Sequence, residues 1–196
     1  QSQSATLHIG LTPSSVSIMS DYLVRFASKY SDIHFDIHEG STFALKNELE
    51  NGLVDITTLR TPIVLNECNT CVLLQENLVA MAIPGFFDIE YTNISLKELS
   101  QKSLILSHRY RKYIISAFED NGLTCDIYCE CEDARTAITL AEHGLGVAIL
   151  PSSMRELNPC LYAYSIKDTN LSTEILLAWR DERIPIEVEK FLSELK

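Results

Sequence analysis

The sequence predicts an α/β protein with two lobes, each built on a parallel sheet with helices on its faces. Two observations carry this prediction. Up to Arg60, apolar runs of strand length alternate with segments of helical spacing in the order β-α-β-α-β. The pattern then starts again near Leu78 and continues to the end of the chain. In such sheets ligands bind outside the carboxyl ends of the strands.

The first strand and helix are predicted from residues 7–11 and from the segment that follows them. Residues 7–11 form an apolar run typical of a buried strand. Between strand and helix, either Thr12 or Ser14 is a candidate cap of the helix, and Pro13 suits its first position. The apolar residues of this helix recur at helical spacing, at Val16, Met19, Leu23, Phe26 and Tyr30.

The next strand and helix are separated by a short polar turn. Residues 34–38 alternate polar and apolar, which predicts a strand with one covered face. Ser41 is the natural cap of the helix that follows, and Gly52 ends it. Residues 54–59 predict a third strand.

The second region repeats this alternation of strands and helices, and Pro185 opens a last helix. Its predicted elements are strands at 78–83, 103–106, 127–131, 147–150, 161–166 and 174–179, with helices around 114–118 and 133–141.

Composition excludes several classes of protein. The 196 residues hold 16 Lys plus Arg against 27 Asp plus Glu, a net charge of −11. A surface this acidic repels phosphate backbones, so the chain itself is not expected to bind nucleic acid. The apolar runs are shorter than the roughly 18 to 20 residues that a membrane helix needs. We expect a cytoplasmic protein with reduced cysteines and no membrane partner.

Four motifs in one order and spacing resemble the effector-binding domain of LysR-type transcriptional regulators. They are Leu7-His8-Ile9-Gly10-Leu11 with its polar turn, Glu39-Gly40-Ser41, Gly52-Leu53-Val54-Asp55, and Gly144-Leu145-Gly146-Val147-Ala148-Ile149-Leu150-Pro151. The resemblance covers almost the whole chain. It implies a type 2 periplasmic-binding-protein fold, in which two Rossmann-like lobes are joined by two crossover strands and a small effector binds in the cleft between them.

The resemblance also implies a domain layout and partners. Residues 1–74 with 167–196 form the first lobe, and residues 75–166 form the second. A winged helix-turn-helix DNA-binding domain is expected upstream, in a part of the protein that this chain does not include. Family members form dimers, and tetramers at full length. The helix after Ser41 and the helix after Arg109 of two subunits are expected to pack together, with Phe43 and Tyr113 as interface or core residues.

By position in the family pattern, the effector-contacting residues come from turns of both lobes. They are Thr12, Ser14, Ser15, Ser41, Thr42 and Arg60 from the first lobe, and Ser107, His108, Arg109, Gly144 and Leu145 from the second. Hydroxyls and backbone amides at helix starts attract anions independently of this resemblance. One arginine adds a charge-assisted bond, so a small carboxylate is the expected effector. Arg60 has an alternative role in an ion pair with Asp55 or Glu39.

Metal and redox chemistry receive less support from the sequence. Cys68 with Cys71, and Cys125 with Cys129 and Cys131, could form a zinc or redox site, but they are also typical of small, partly buried apolar residues. His34 and His38 flank Asp36 on one strand, yet they lie roughly 13 Å apart and do not share a metal. No metal or cofactor is expected.

Enzymatic function is not expected either. The sequence has no Gly-x-Ser-x-Gly elbow, no His-Glu-x-x-His motif and no Walker phosphate loop. Gly144-Leu145-Gly146 leads into a strand, whereas a dinucleotide motif opens a helix. The alternative to a regulator's sensor domain is a free-standing solute-binding protein of a transporter with the same fold. His108 and His143 are candidates for cleft contacts or ordinary helix-end positions.

Overall fold

The computed structural model describes residues 5–88, 92–182 and 184–195. Within them the strands are β1 Ala5–Leu11, β2 Ile33–Glu39, β3 Ile56–Arg60, β4 Cys68–Ala82, β5 Asn93–Ile94, β6 Ser103–Ser107, β7 Asp126–Cys131, β8 Val147–Pro151, β9 Tyr162–Ile166 and β10 Ser172–Arg180. The helices are α1 Val16–Lys29, α2 Thr42–Glu50, α3 Leu96–Leu99, α4 Arg111–Asp120, α5 Ala134–Glu142 and α6 Ile186–Ser193. None of these helices has the length and apolar character needed to cross a membrane.

The chain divides into two compact units. The first comprises the described residues of Gln1–Leu74 and Glu174–Lys196, and the second comprises those of Gln75–Thr173. Strands β4 and β10 each pass from one unit into the other. Residues 167–173 therefore lie in the second unit, whereas the family pattern predicts them in the first lobe.

Two contacts explain why residues 167–173 belong with the second unit. Leu171 is buried in the core of that unit, and its carbonyl accepts a hydrogen bond of 2.8 Å from the backbone of Leu78. The hydroxyl of Tyr113 donates to the carbonyl of Asn170 and accepts from the backbone N–H of Ser172. Neither contact is visible in a local sequence pattern, because both partners are distant in the chain.

The sheet of the first unit has the strand order β2-β1-β3-β10. Strand β1 runs parallel to β2 and β3, and β10 runs antiparallel to β3. Helices α1 and α6 cover one face, where Leu7 and Ile9 share a core with Phe26 and Phe191. Helix α2 covers the other face. Its core residues are Leu45 and Leu49 with Val54, Leu59 and Ala178.

At Gly10, strand β1 packs closely against strand β3 and helix α2. A Cβ atom at this position would overlap the hydroxyl of Thr57 and lie 3.0 Å from Cδ2 of Leu45. Because a side chain does not fit, glycine is required where β1 ends beneath α2. The close packing brings the polar turn after β1 near the end of β3.

The second unit is built on the strand order β5-β9-β4-β8-β6-β7. Strand β6 is parallel to β7 and β8, while β4 is antiparallel to β8 and β9. Alternate residues of β6 face opposite cores: Leu104 and Leu106 pack with Phe118 of α4, and Ile105 packs with Ile138 of α5. Helices on both faces explain why every residue of β8 is buried.

Most predicted elements are present, with two differences in the second region. Strand β4 begins at Cys68, well before the predicted start at residue 78. Its first ten residues mix apolar and polar side chains without strict alternation and are mostly exposed or half-buried, so they lack a clear strand signal. Strand β5 and helix α3 were not predicted, although Ser95 and Glu98 carry the capping-box spacing. The described structure has both reciprocal bonds of that box, at 2.8 and 3.1 Å.

Candidate functional site

The candidate site of the first unit lies where strands β1 and β3 end and where helices α1 and α2 begin. Parallel strands bring these carboxyl ends to one edge of the sheet. Thr12 follows β1, and a short 3₁₀ turn, Pro13–Ser15, leads from it into α1. Thr42 opens α2, and Arg60 is the last residue of β3. Polar side chains from three separate segments therefore meet at one place.

Arg60 is the cation of this site. Only 3% of the residue is exposed. Its Nε donates a hydrogen bond of 3.0 Å to the hydroxyl of Ser14, and its backbone N–H donates one of 3.1 Å to the hydroxyl of Thr42. A buried guanidinium is costly unless it is hydrogen-bonded, and its five N–H donors suit a carboxylate.

A network of hydroxyls lies beside the arginine. Oγ of Ser15 is 2.6 Å from Oγ1 of Thr58 and donates to the carbonyl of Thr12 over 2.8 Å. The backbone N–H of Thr12 donates to Oγ1 of Thr58 over 3.0 Å. Ser15 and Thr58 are fully buried, so the network fixes the turn in one conformation.

Thr12 contributes a further polar atom to this network. Its Oγ1 is buried and has no hydrogen-bond partner among the residues that the structure describes. A hydroxyl both donates and accepts, and leaving one unsatisfied in the interior costs about 1 to 3 kcal/mol. A ligand oxygen or a water that reached this atom would recover that free energy.

The capping predictions are correct for one helix and wrong for the other. Ser41 caps α2, since its hydroxyl accepts a hydrogen bond of 3.2 Å from the backbone of Ala44. Thr12 precedes the 3₁₀ turn with Pro13 in first position, but its side chain makes no capping bond. Ser14 lies inside that turn and does not cap α1, which begins at Val16. The hydroxyl of Ser14 instead binds Arg60.

In the second unit, the predicted residues follow or end β6, and one of them, His108, lies beside two carboxylates. Ser107 is buried, and Arg109 is half-buried in the turn before α4. Nδ1 of His108 lies 2.9 Å from a carboxylate oxygen of Glu132, and Nε2 lies 3.7 Å from one of Glu130. Arg111 also pairs with Glu130, at 2.8 Å. These acids make His108 a weaker candidate for an anion contact than Ser107.

Gly144 and Leu145 form the turn that ends α5. Gly144 has φ of +78°, a backbone conformation that glycine adopts without strain. The backbone N–H groups of Gly144 and Leu145 donate to the carbonyls of Ala141 and Leu140, at 2.9 and 3.0 Å. Nδ1 of His143 lies 2.8 Å from the carbonyl of Thr139 in its own helix. His143 therefore occupies an ordinary helix-end position.

The structure joins only part of the predicted residue set by direct contacts. Arg60 bonds to Ser14 and Thr42 in one group of hydrogen bonds. Thr12, Ser15 and Thr58 form a second group, which the adjacent residues Ser14 and Ser15 connect to the first through the chain. Thr58 was missed, although two adjacent threonines between apolar residues of a predicted strand are a usable signal. A small pocket of the second unit contains none of the predicted residues. It is lined by Asn77, Leu78, Val79, Ser165, Ile166, Thr169 and Leu171.

The cysteines are all free thiols. Burial raises the pKa of Cys68, Cys71 and Cys125 above the ordinary value, and it raises the pKa of Cys131 to about 11. A thiol with a raised pKa is a poor nucleophile and a poor metal ligand at neutral pH. Among the described residues, the three side chains close enough to share a metal are His8, Asp36 and His38, and none of them is a cysteine. This favours the interpretation of these cysteines as small apolar residues.

Two α/β units joined by two strands form the type 2 periplasmic-binding class of ligand-binding fold. The chain belongs to the LysR family, because the sequence pattern of the LysR substrate binding domain matches residues 1–196. It is 24% identical over 199 residues to the HTH-type transcriptional regulator CatR of Pseudomonas putida, covering 98% of this chain and 68% of that protein.

A second relative and a solved structure agree with this assignment. The chain is 28% identical over 188 residues to the uncharacterized HTH-type transcriptional regulator YnfL of Escherichia coli (strain K12), covering 91% of this chain and 63% of that protein. It thus spans about two thirds of the length of these curated relatives. The effector-binding domain of QuiR in complex with shikimate has the same fold, with a TM-score of 0.86 at 19% identity over 97% of this chain and 95% of that one.

Proposed function

We propose that this chain senses a small carboxylate and passes the signal to the DNA-binding part of a LysR-type regulator. The observation that carries the proposal is the buried Arg60 guanidinium held by Ser14, whose turn also contains the buried hydroxyl of Thr12. The guanidinium supplies a fixed positive charge with bidentate geometry. The hydroxyl of Thr12 and the backbone N–H groups at the start of α1 supply neutral donors, and Ser15 holds the turn in place.

A carboxylate suits this chemistry better than a cation or an apolar ligand. A desolvated arginine repels cations, and an apolar ligand offers no acceptor to a guanidinium. Shikimate, the ligand of the similar QuiR domain, is itself a carboxylic acid. From the second unit we retain Ser107, Arg109, Gly144 and Leu145 as proposed effector contacts, with His108 as a weaker candidate. Ser41 of the first unit is also a weaker candidate, because its hydroxyl already caps α2.

The proposed regulator acts as an assembly in the cytoplasm. The chain is acidic, with a net charge of −11, so contact with DNA is assigned to the upstream domain. The family pattern suggests a homodimer of this domain and a tetramer of the whole protein. Effector and DNA binding then need a coupling free energy of only about 1 to 3 kcal/mol. The transporter alternative is not favoured, because the relatives found are transcriptional regulators.

A thermal-shift screen followed by calorimetry tests the proposal. The panel consists of small carboxylates, including shikimate and benzoate, with amino acids and sugar phosphates as other classes. A ligand at 100 times its Kd stabilises the folded state by about 2.7 kcal/mol, which raises the Tm by roughly 5 to 11 °C for a chain of this size. We expect a carboxylate to give this shift.

A matched pair of serine variants assigns the site. Ser14→Ala removes the hydroxyl that holds Arg60, and we expect it to weaken binding of the carboxylate by about tenfold. Ser20→Ala is the control, since Ser20 is exposed on α1 and its hydroxyl donates to the carbonyl of Val16 in its own helix. Equal affinity in wild type, Ser14→Ala and Ser20→Ala would contradict the assignment of the site to Arg60 and its hydroxyls.

A further inference from the structure

A second cluster of polar side chains lies on the first unit's sheet, on strands β1 and β2. In the parallel pair His8 lies directly opposite Asp36, and His38 follows two residues later on β2. Side chains two residues apart in a strand point to the same face, so all three share one surface. His34 and His38, on the same strand, lie roughly 13 Å apart, too far to share a metal. The parallel pairing brings His8, from the neighbouring strand, beside the same carboxylate.

The three side chains have the spacing of a ligand set. Nδ1 of His8 lies 2.9 Å from Oδ2 of Asp36, and Nε2 of His38 lies 3.4 Å from the same oxygen. One ligand atom from each residue lies within 4.8 Å of the others. Ligand atoms at 2.0 to 2.2 Å from a tetrahedral metal are about 3.3 to 3.6 Å apart, so small side-chain rotations suffice.

Two carboxylates outside this set fix the position of its histidines. Oε2 of Glu48, on α2, lies 2.6 Å from Nδ1 of His38. When a carboxylate accepts a hydrogen bond from Nδ1–H, the lone pair of the imidazole is on Nε2, which here lies beside Asp36. Many metal-bound histidines have such a carboxylate partner. The carboxylate of Asp55 accepts a hydrogen bond of 2.9 Å from the backbone N–H of His8, and its own N–H donates to the carbonyl of His8.

We propose that His8, Asp36 and His38 form a binding site for a divalent transition metal of the zinc class. Two imidazoles and one carboxylate suit Zn²⁺, Co²⁺ or Ni²⁺, whereas Mg²⁺ and Ca²⁺ take oxygen ligands almost exclusively. The side chains of His8 and Asp36 are 42% and 52% exposed, so an ion reaches them from solution. Three protein ligands leave at least one coordination position for water or for an outside ligand.

Zinc titration of the folded domain tests this site. The domain is treated with a chelator, dialysed, and titrated with ZnCl₂ in a calorimeter at pH 7.5 under reducing conditions. We compare wild type with Asp36→Asn, His8→Gln, His38→Gln and the control His34→Gln. His34 is exposed and lies two residues before Asp36 on the same face of β2, but it is outside the cluster.

We expect one zinc ion per chain in wild type and in His34→Gln, with at least tenfold weaker binding in the three cluster variants. Glu48→Gln, which alters only the orienting partner, is expected to weaken binding by 10- to 100-fold. Circular dichroism checks that each variant is folded, which we expect because these side chains lie at the surface. Absence of binding in wild type, equal affinity in all variants, or equal loss in His34→Gln would overturn the proposal.

Cobalt distinguishes this site from the six thiols that every variant retains. Co²⁺ bound by imidazole and carboxylate shows only weak visible bands, whereas thiolate ligands add intense near-ultraviolet charge transfer. We expect weak visible bands that disappear in Asp36→Asn. An intense near-ultraviolet band of equal size in wild type and Asp36→Asn, without bands that depend on Asp36, would assign metal binding to the cysteines and refute the site.

Discussion

Nε of Arg60 donates a hydrogen bond of 3.0 Å to Oγ of Ser14, joining residues 46 positions apart in the sequence. The bond exists because β1 and β3 are parallel neighbours, so the turn after β1 lies beside the last residue of β3. The serine keeps the guanidinium in one orientation. Pre-organisation of this kind reduces the entropy that a ligand must lose on binding.

Replacing Arg60 by lysine should weaken carboxylate binding even though the positive charge remains. Lysine lacks the planar fork and cannot donate to Ser14 and to a carboxylate in the same geometry. Loss of a charge-assisted hydrogen bond costs about 1.5 to 3 kcal/mol, which is roughly a 10- to 150-fold rise in Kd measured by calorimetry. Arg25→Lys, at an exposed position of α1, is the control. An unchanged Kd in Arg60→Lys would show that the guanidinium geometry does not contribute.

Replacing Phe43 by glutamate should dissociate the proposed dimer. Phe43 lies on α2, the helix expected at the interface, and 53% of it is exposed, so it is not a core residue. Burying a carboxylate in an apolar interface is costly, and sedimentation equilibrium should show monomer for this variant and dimer for wild type. The control is Val24→Glu, because Val24 is also exposed but lies on α1. A persistent dimer in Phe43→Glu would exclude α2 from the interface.

A side chain at Gly146 should lower the stability of the second unit. A Cβ atom there would lie 2.5 Å from the carbonyl oxygen of Ser103, a backbone atom of β6 that cannot move independently. We expect Gly146→Ala to lower the free energy of unfolding by about 1 to 3 kcal/mol in urea denaturation. Gly40→Ala is the matched control, because its Cβ would meet neighbours at the ordinary distance of 3.5 Å. Equal stability of the two variants would contradict the close contact.

Glu98 should stabilise the protein only above acidic pH. Hydrogen bonds from the backbone and the side chain of Ser95 hold the pKa of this carboxyl below its ordinary value of 4.5. Its contribution is therefore complete above about pH 4.5 and is lost as the pH falls through the lower folded-state pKa. In urea denaturation, the difference in unfolding free energy between wild type and Glu98→Gln should shrink in acid. Glu119→Gln, an exposed site at the end of α4, is the comparison, and a pH-independent difference for Glu98→Gln would argue against the capping box.

Cys131 should react slowly with alkylating reagents. Burial raises its pKa to about 11, so the reactive thiolate is scarce at pH 8. Cys160 is exposed and serves as the internal reference in the same sample. Peptide mass spectrometry after timed treatment with iodoacetamide should show Cys160 modified well before Cys131. Equal rates would mean that the pKa of Cys131 is not raised in solution.

Much of the architecture was predictable from local sequence. The alternation of apolar runs and helical spacing located β1, α1, β2 and α2, since each element has its own periodicity and its own end signals. The first half of β4 was not predicted, because its apolar and polar residues follow no regular strand period and its strand conformation depends on tertiary contacts. Helix α3 was missed for a different reason, since its capping-box signature at Ser95 was present in the sequence.

The sequence by itself determined the fold class, the family and the residue types of the candidate effector site, including Ser14 and Arg60. The fold class follows from the periodicity of apolar residues, and the family and the site residues follow from short motifs in the sequence. Only the tertiary structure decided which distant side chains meet: Thr58 with Ser15, and His8 with Asp36. Pairing of parallel strands sets these contacts, and the register of that pairing is fixed by the packing of whole elements, which no local pattern contains.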